Sequence, residues 1–201
     1  TRLNLKSGEV VLESNTEALA EYPAASKFNQ KYFVVLCFNS IPASTQVKEL
    51  STAGVQLLDY LPQNAYWASV NAGTPIALLK QMGIKGIHTL PTLHKYHRIF
   101  KEQPLPYWTL NGSRIKGVLE YFSSAQTELV IEQLKKNGVE ITESRPHVYQ
   151  IDIEFTAELL DSIAGLPFVN FIDHAAPPLT PDNIPGVNNH RANVLTSAIA
   201  G

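Results

Sequence analysis

The sequence lacks most of the groups that announce an active site. Among its 201 residues there is one cysteine, Cys37, so no internal disulfide can form. It sits in the apolar run Val34-Val35-Leu36-Cys37-Phe38 and reads as a small buried hydrophobe rather than a reactive thiol. Neither Gly-x-Gly-x-x-Gly nor a phosphate-binding Gly-Lys-Ser/Thr occurs, so no loop is expected to cradle a nucleotide and no cofactor is expected. No serine stands on a Gly-x-Ser-x-Gly turn or its equivalent, and catalysis by this chain alone is not expected. The 16 basic and 18 acidic residues give a net charge of −2 and a pI near 6.3, without the basic footprint of a nucleic-acid binder. No apolar run approaches the roughly 18 residues of a membrane span. The chain opens at Thr1 without methionine, so a signal peptide is not expected within this stretch.

The six histidines do not assemble into a site by spacing. His94 and His97 share a face if helical, but no Cys, Asp or Glu lies close enough in sequence to complete a metal site. Asp173 and His174 suggest an acid–base pair, yet neighbours on a strand point to opposite sides, and the pair reads as a strand end. No metal ligand and no catalytic residue is assigned.

What the sequence does have is an internal repeat. Phe38-Asn39-Ser40, Leu50, Gly54-Val55 and Pro62 fall on Phe122-Ser123-Ser124, Leu134, Gly138-Val139 and Pro146 at a constant offset of 84, and Thr74, Gly83 and Ile87 fall on Thr156, Gly165 and Val169 at 82. The period is too long for a solenoid unit. Each copy is therefore expected to be a small domain of about 60 residues, near the lower limit for folding alone, so the copies should lean on each other.

Both copies spell strand, helix, strand, strand, helix, strand. In the first, Lys31–Phe38 is an apolar run of strand length, and Pro42–Ala53 is a helix ended by Gly54 in a left-handed cap. Val55–Leu61 and Ala65–Val70 flank the turn Pro62-Gln63-Asn64. Thr74-Pro75 starts a second helix with a capping threonine, and Ile84–Leu90 is the last strand. In the second copy the strands are expected at Val118–Phe122, Val139–Ser144, Val148–Ile153 and Phe168–Asp173, with helices over Thr127–Lys136 and from a capping Thr156. This βαββαβ order predicts an α+β fold of two tandem ferredoxin-like domains. Each antiparallel sheet would carry two helices on one face and leave the other for a partner. In the second copy Val148, Gln150 and Asp152 alternate onto one face and are the candidate contact residues.

The remaining segments frame the repeats. Residues 1–30 are an N-terminal extension in which Leu3, Leu5, Val10, Val11 and Leu12 alternate about Ser7-Gly8, a hairpin pattern. Residues 31–90 and 114–173 are the two domains, 91–113 is a linker, and 174–201 is a tail whose prolines cannot continue a helix or central strand. Tyr66, Trp67 and Tyr149 lie where stacked aromatics could bind RNA on such a sheet, but the basic, glycine-containing surroundings of that motif are missing. Small-molecule regulatory modules of this kind usually have glycines after the first strand. Here those loops read Asn39-Ser40-Ile41-Pro42 and Ser123-Ser124-Ala125-Gln126. A stand-alone module binding a peptide or small effector is the alternative function.

Three stretches carry a resemblance to a known family. They are the strand Tyr32-Phe33-Val34-Val35-Leu36 before a helix ending in Gly54-Val55, the turn Leu61-Pro62-Gln63-Asn64-Ala65-Tyr66, and Val169-Asn170-Phe171-Ile172-Asp173 before a proline-rich tail. With Asn189-His190-Arg191-Ala192-Asn193-Val194-Leu195 beyond them, the chain resembles the tandem N-terminal propeptide region of secreted subtilisin-like serine proteases over nearly its whole length. The resemblance implies a secreted, non-catalytic folding assistant and inhibitor of a subtilisin-like protease domain, acting in cis. It also implies that the sheet face packs on the protease while the tail, through Asp173, His174, Ala175, Ala176, Pro177 and Pro178, enters the active-site cleft like a substrate. No catalytic residue is carried over. Main-chain pairing of an extended segment with a strand edge, helped by an effective concentration around millimolar from tethering, is a physical basis for such inhibition.

Overall fold

The computed structural model describes residues 2–5, 8–12 and 21–177. The first strands, β1 (Arg2–Leu5) and β2 (Gly8–Val11), pair antiparallel as a hairpin. The first copy follows with β3 (Lys27–Phe28), β4 (Lys31–Phe38), α1 (Ser44–Thr52), β5 (Val55–Leu61), β6 (Ala65–Asn71), α2 (Ile76–Gln81) and β7 (Ile84–His88). The order across its sheet is β5-β6-β4-β7, every neighbouring pair antiparallel, and β3 shares the β7 edge of β4. Both helices lie on one face, where Leu50 and Leu79 pack with Val34, Leu36, Phe38, Ala68 and Val70.

The second copy is β8 (Leu110–Asn111), β9 (Arg114–Tyr121), α3 (Thr127–Lys136), β10 (Glu140–Arg145), β11 (Gln150–Phe155), α4 (Leu160–Ala164) and β12 (Val169–His174). Its antiparallel order is β10-β11-β9-β12, with β8 on β9. Strict alternation along β9 puts Ile115, Leu119 and Tyr121 against the helices, as period-two patterning requires. Both first helices end at an equivalent glycine in the left-handed region, Gly54 at φ +84 and Gly138 at φ +78. The fold is therefore α+β, built on antiparallel sheets with few helices.

The two copies share a core. Phe33, Val35, Cys37 and Trp67, on the face of the first sheet away from its helices, are covered by Leu3, Val10 and Leu12 of the hairpin and by Phe122 of the second copy. The Phe122 ring stacks on Phe33 at 5.4 Å and tilts onto Trp67 at 4.8 Å. Phe28 packs on Phe168 at 4.5 Å, and Lys31 Nζ donates to the Ser124 carbonyl at 3.1 Å. The expectation that each sheet leaves one face for a partner is thus corrected for the first sheet. That face is too apolar to stay wet, and the chain covers it itself.

Several local expectations also differ. The strand expected at Val148–Ile153 starts two residues later, because Pro146–Val148 forms a 3-10 turn and Tyr149 adopts φ +57. Val148 therefore sits in a turn, 47% exposed, and does not alternate with Gln150 and Asp152. The Thr74 hydroxyl caps no helix. It donates instead to the Ala53 carbonyl at 2.8 Å, tying the end of α1 to the start of α2. Thr156 makes no cap bond either. Residues 91–113 do more than link: Tyr96, Ile99 and Phe100 are buried in the second core, and Tyr96 bridges Ile172 in parallel as an extra rung on the β12 edge.

Candidate functional site

The second sheet has a polar, largely half-exposed face away from its helices, and its strand alternation fixes what that face presents. Opposite the helix-facing Ile115, Leu119, Ile151 and Ile153 stand Lys116, Val118 and Glu120 on β9 and Gln150, Asp152 and Glu154 on β11. Most of the polar side chains here are paired. Gln150 Nε2 donates to Glu120 Oε1 at 3.0 Å, and Asn111 Nδ2 donates to both Glu154 oxygens at 2.9 Å. Arg145 grips both oxygens of Asp152, and that bond, with Glu143 beside it, raises the guanidinium above its ordinary value. Arg114 reaches Glu140 at 3.3 Å. The acidic residues Glu120, Glu140, Glu143, Asp152, Glu154 and Asp173 number six and the basic Arg114, Lys116 and Arg145 three, so the face carries a net charge of −3. Because its long side chains are already held in place, a partner would order few of them on docking. Of the predicted face residues, Gln150 and Asp152 are among these paired side chains, and Val148 is at the margin of the face.

The predicted tail residues divide at the end of the sheet. Asp173 and His174 belong to β12, paired with Val118 and Gly117. Ala175 is half-buried, Ala176 and Pro177 are exposed without regular structure, and Pro178 lies outside the described residues. The Asp173 carboxylate does not point away from its neighbour. Its Oδ1 accepts the His174 backbone N–H at 2.8 Å and lies 3.8 Å from His174 Nε2. His97, from the connecting segment, meets this pair: its ring lies edge-on to His174 with centroids 4.9 Å apart. Backbone bonds place it there, since His97 N–H donates to the Ile172 carbonyl and Ile172 N–H to the Lys95 carbonyl. His94, the neighbour that spacing paired with His97, is not part of this group.

Lys95 is the other residue that sequence reasoning passed over. It is only 6% exposed, its Nζ donates to the Leu166 carbonyl at 3.2 Å, and burial pushes its ammonium down to about 8. It borders a cavity of about 270 Å³ lined by Phe33, Trp67, Leu90, Pro91 and Pro167. A second cleft, of about 370 Å³, lies between the copies, lined by Asn29, Gln30, Lys31, Asn71, Ser124 and Gln126 among others. The Ser124 hydroxyl in its wall is buried without a hydrogen-bond partner among the described residues.

A family model described as a domain of unknown function (DUF8729) matches residues 4–91, a stretch that begins in β1 and ends just past β7. No curated protein and no solved structure matches the chain.

Proposed function

We propose that this chain is the propeptide region of a secreted subtilisin-like serine endopeptidase, composed of two tandem ferredoxin-like domains, and that it assists folding of the protease and inhibits it. The observation that carries this reading is the placement of the outgoing chain. The last described strand, β12, belongs to the sheet whose second face is polar and largely half-exposed, and it leads through Ala175 into the exposed Ala176 and Pro177. One rigid unit can therefore dock by its sheet and deliver an extended segment into a nearby cleft. The first copy, whose second face is covered by the hairpin and Phe122, acts as a brace. The net negative face favours a partner surface bearing basic side chains or helix N-termini. Inhibition then centres on Ala175 to Pro178, since Asp173 and His174 are held in the sheet. Small side chains at Ala175 and Ala176 suit cleft subsites, and the prolines after them resist cutting.

The reading frame beyond Gly201 tests this. Aspartate, histidine and serine motifs in subtilase order support it, whereas a stop codon or an unrelated domain overturns it. The second reading, a module for a peptide or small effector, is favoured by the cleft between the copies with its unpaired Ser124 hydroxyl.

A further inference from the structure

We propose that His97, Asp173 and His174 form a binding site for a divalent transition-metal ion of the zinc type. Each side chain offers one ligand atom, and the three atoms lie within 4.8 Å of one another. Tetrahedral bonds of about 2.0–2.1 Å put ligand atoms roughly 3.3 Å apart, so rotations that draw them in by at most about 1.5 Å close the site. All three residues are half-buried, which leaves them room to turn. The residues come from segments 76 positions apart (173 − 97), and the backbone bonds between Lys95–His97 and Ile172 hold those segments together.

The hydrogen bonds around the cluster prepare two of the ligands. His174 Nδ1 lies 2.7 Å from the Ala175 carbonyl oxygen. Only a protonated Nδ1 can donate there, so the neutral ring keeps its lone pair on Nε2, beside the Asp173 carboxylate. Orientation of a histidine by a backbone carbonyl is the usual outer support of a metal ligand. Asp173 is steadied by the bond from the His174 N–H to Oδ1. His97 Nδ1 accepts the Ile99 N–H at a long 3.2 Å, and His97 binds the ion by giving up that contact. Two imidazoles and one carboxylate suit Zn²⁺ or Co²⁺ with a fourth position for water. Ca²⁺ and Mg²⁺, which take oxygen ligands, are not expected to bind. The bound ion ties the connecting segment to the point where the chain leaves the sheet. This inference rests on the cluster geometry and not on the protease reading.

The test is calorimetric titration of the 201-residue chain with Zn²⁺ alone, together with the visible spectrum of its Co²⁺ complex. One ion per chain and a four- or five-coordinate Co²⁺ spectrum are expected. Asp173→Asn and His174→Ala should each weaken binding more than about a hundredfold, beyond the roughly 10–100-fold that removal of an outer-shell partner typically costs. These two variants carry the test because His97 also caps a 3-10 turn. The variant His147→Ala, in the turn before β11, should bind as wild type. Absence of stoichiometric binding, or binding that survives His174→Ala, overturns the proposal.

Discussion

Replacing Lys95 with methionine should make the protein more stable at neutral pH, and the gain should vanish in alkali. Lys95 is buried, its ordinary pKa of 10.5 falls to about 8, and the Leu166 carbonyl is the partner its ammonium finds. The unfolded chain keeps the lysine proton until near pH 10.5, while the folded chain releases it near 8. Below pH 8 the fold therefore carries a charged group that prefers water. Stability attributable to Lys95 rises as pH climbs from about 8 to about 10.5, because over that window the unfolded chain binds more protons. The difference of 2.5 between the two values (10.5 − 8) corresponds to a penalty of about 3 kcal/mol below pH 8. Methionine keeps the length and the apolar contacts, and losing the bond to Leu166 costs about 1 kcal/mol. Lys95→Met should thus be more stable by about 2 kcal/mol at pH 7.5 and close to equal at pH 10. Urea unfolding of both proteins at the two pH values measures this. The comparison cancels Tyr22, whose hydroxyl burial pushes up to about 12, and every other group common to both chains. An advantage that is absent at pH 7.5, or that persists unchanged at pH 10, refutes the reasoning.

Three further outcomes are expected. Gly54→Ala and Gly138→Ala both force alanine into a left-handed conformation, at about 1–2 kcal/mol each. Gly54→Ala should cost more, since its Cβ would meet Asn71 Nδ2 at 2.7 Å while the nearest atom at Gly138 is Leu159 Cδ1 at 3.6 Å; equal denaturation midpoints would count against this. Phe122→Ala should lose about 3–5 kcal/mol and shift the tryptophan fluorescence, because Trp67 packs directly on that ring. An unchanged spectrum and midpoint would mean that the copies do not share the core described above. If the chain is a protease propeptide as proposed, Ala175→Asp/Ala176→Asp should abolish its inhibition of that protease without lowering the unfolding midpoint, and intact inhibition would show that the cleft is filled by another segment.

How far the sequence could be read depended on whether the deciding contact was local. The α3 helix appears over Thr127–Lys136 as its spacing predicts, because Val130 and Leu134 fall on one face and Asn137-Gly138 ends it. The matched glycines and the strand–helix order were legible for the same reason. Legibility failed where distant groups decided. Thr74 prefers the Ala53 carbonyl to its own helix. Phe122, although matched to Phe38 in the repeat, leaves its own core for the first sheet. At the candidate site, alternation placed Gln150 and Asp152 correctly together, but Arg145-Pro146 and the left-handed Tyr149 broke the pattern before Val148 could join. His97 meets His174 only because the connector adds a rung to β12, and no spacing rule announces that.

The propeptide reading expects a subtilase catalytic domain in the same reading frame, and inhibition of that domain tests the central claim most directly. Progress curves with a chromogenic peptide should show tight inhibition by the full chain, weakening as salt rises because the face proposed to dock is charged. If the chain is instead degraded as an ordinary substrate, or leaves the protease fully active at stoichiometric excess, the propeptide account is contradicted.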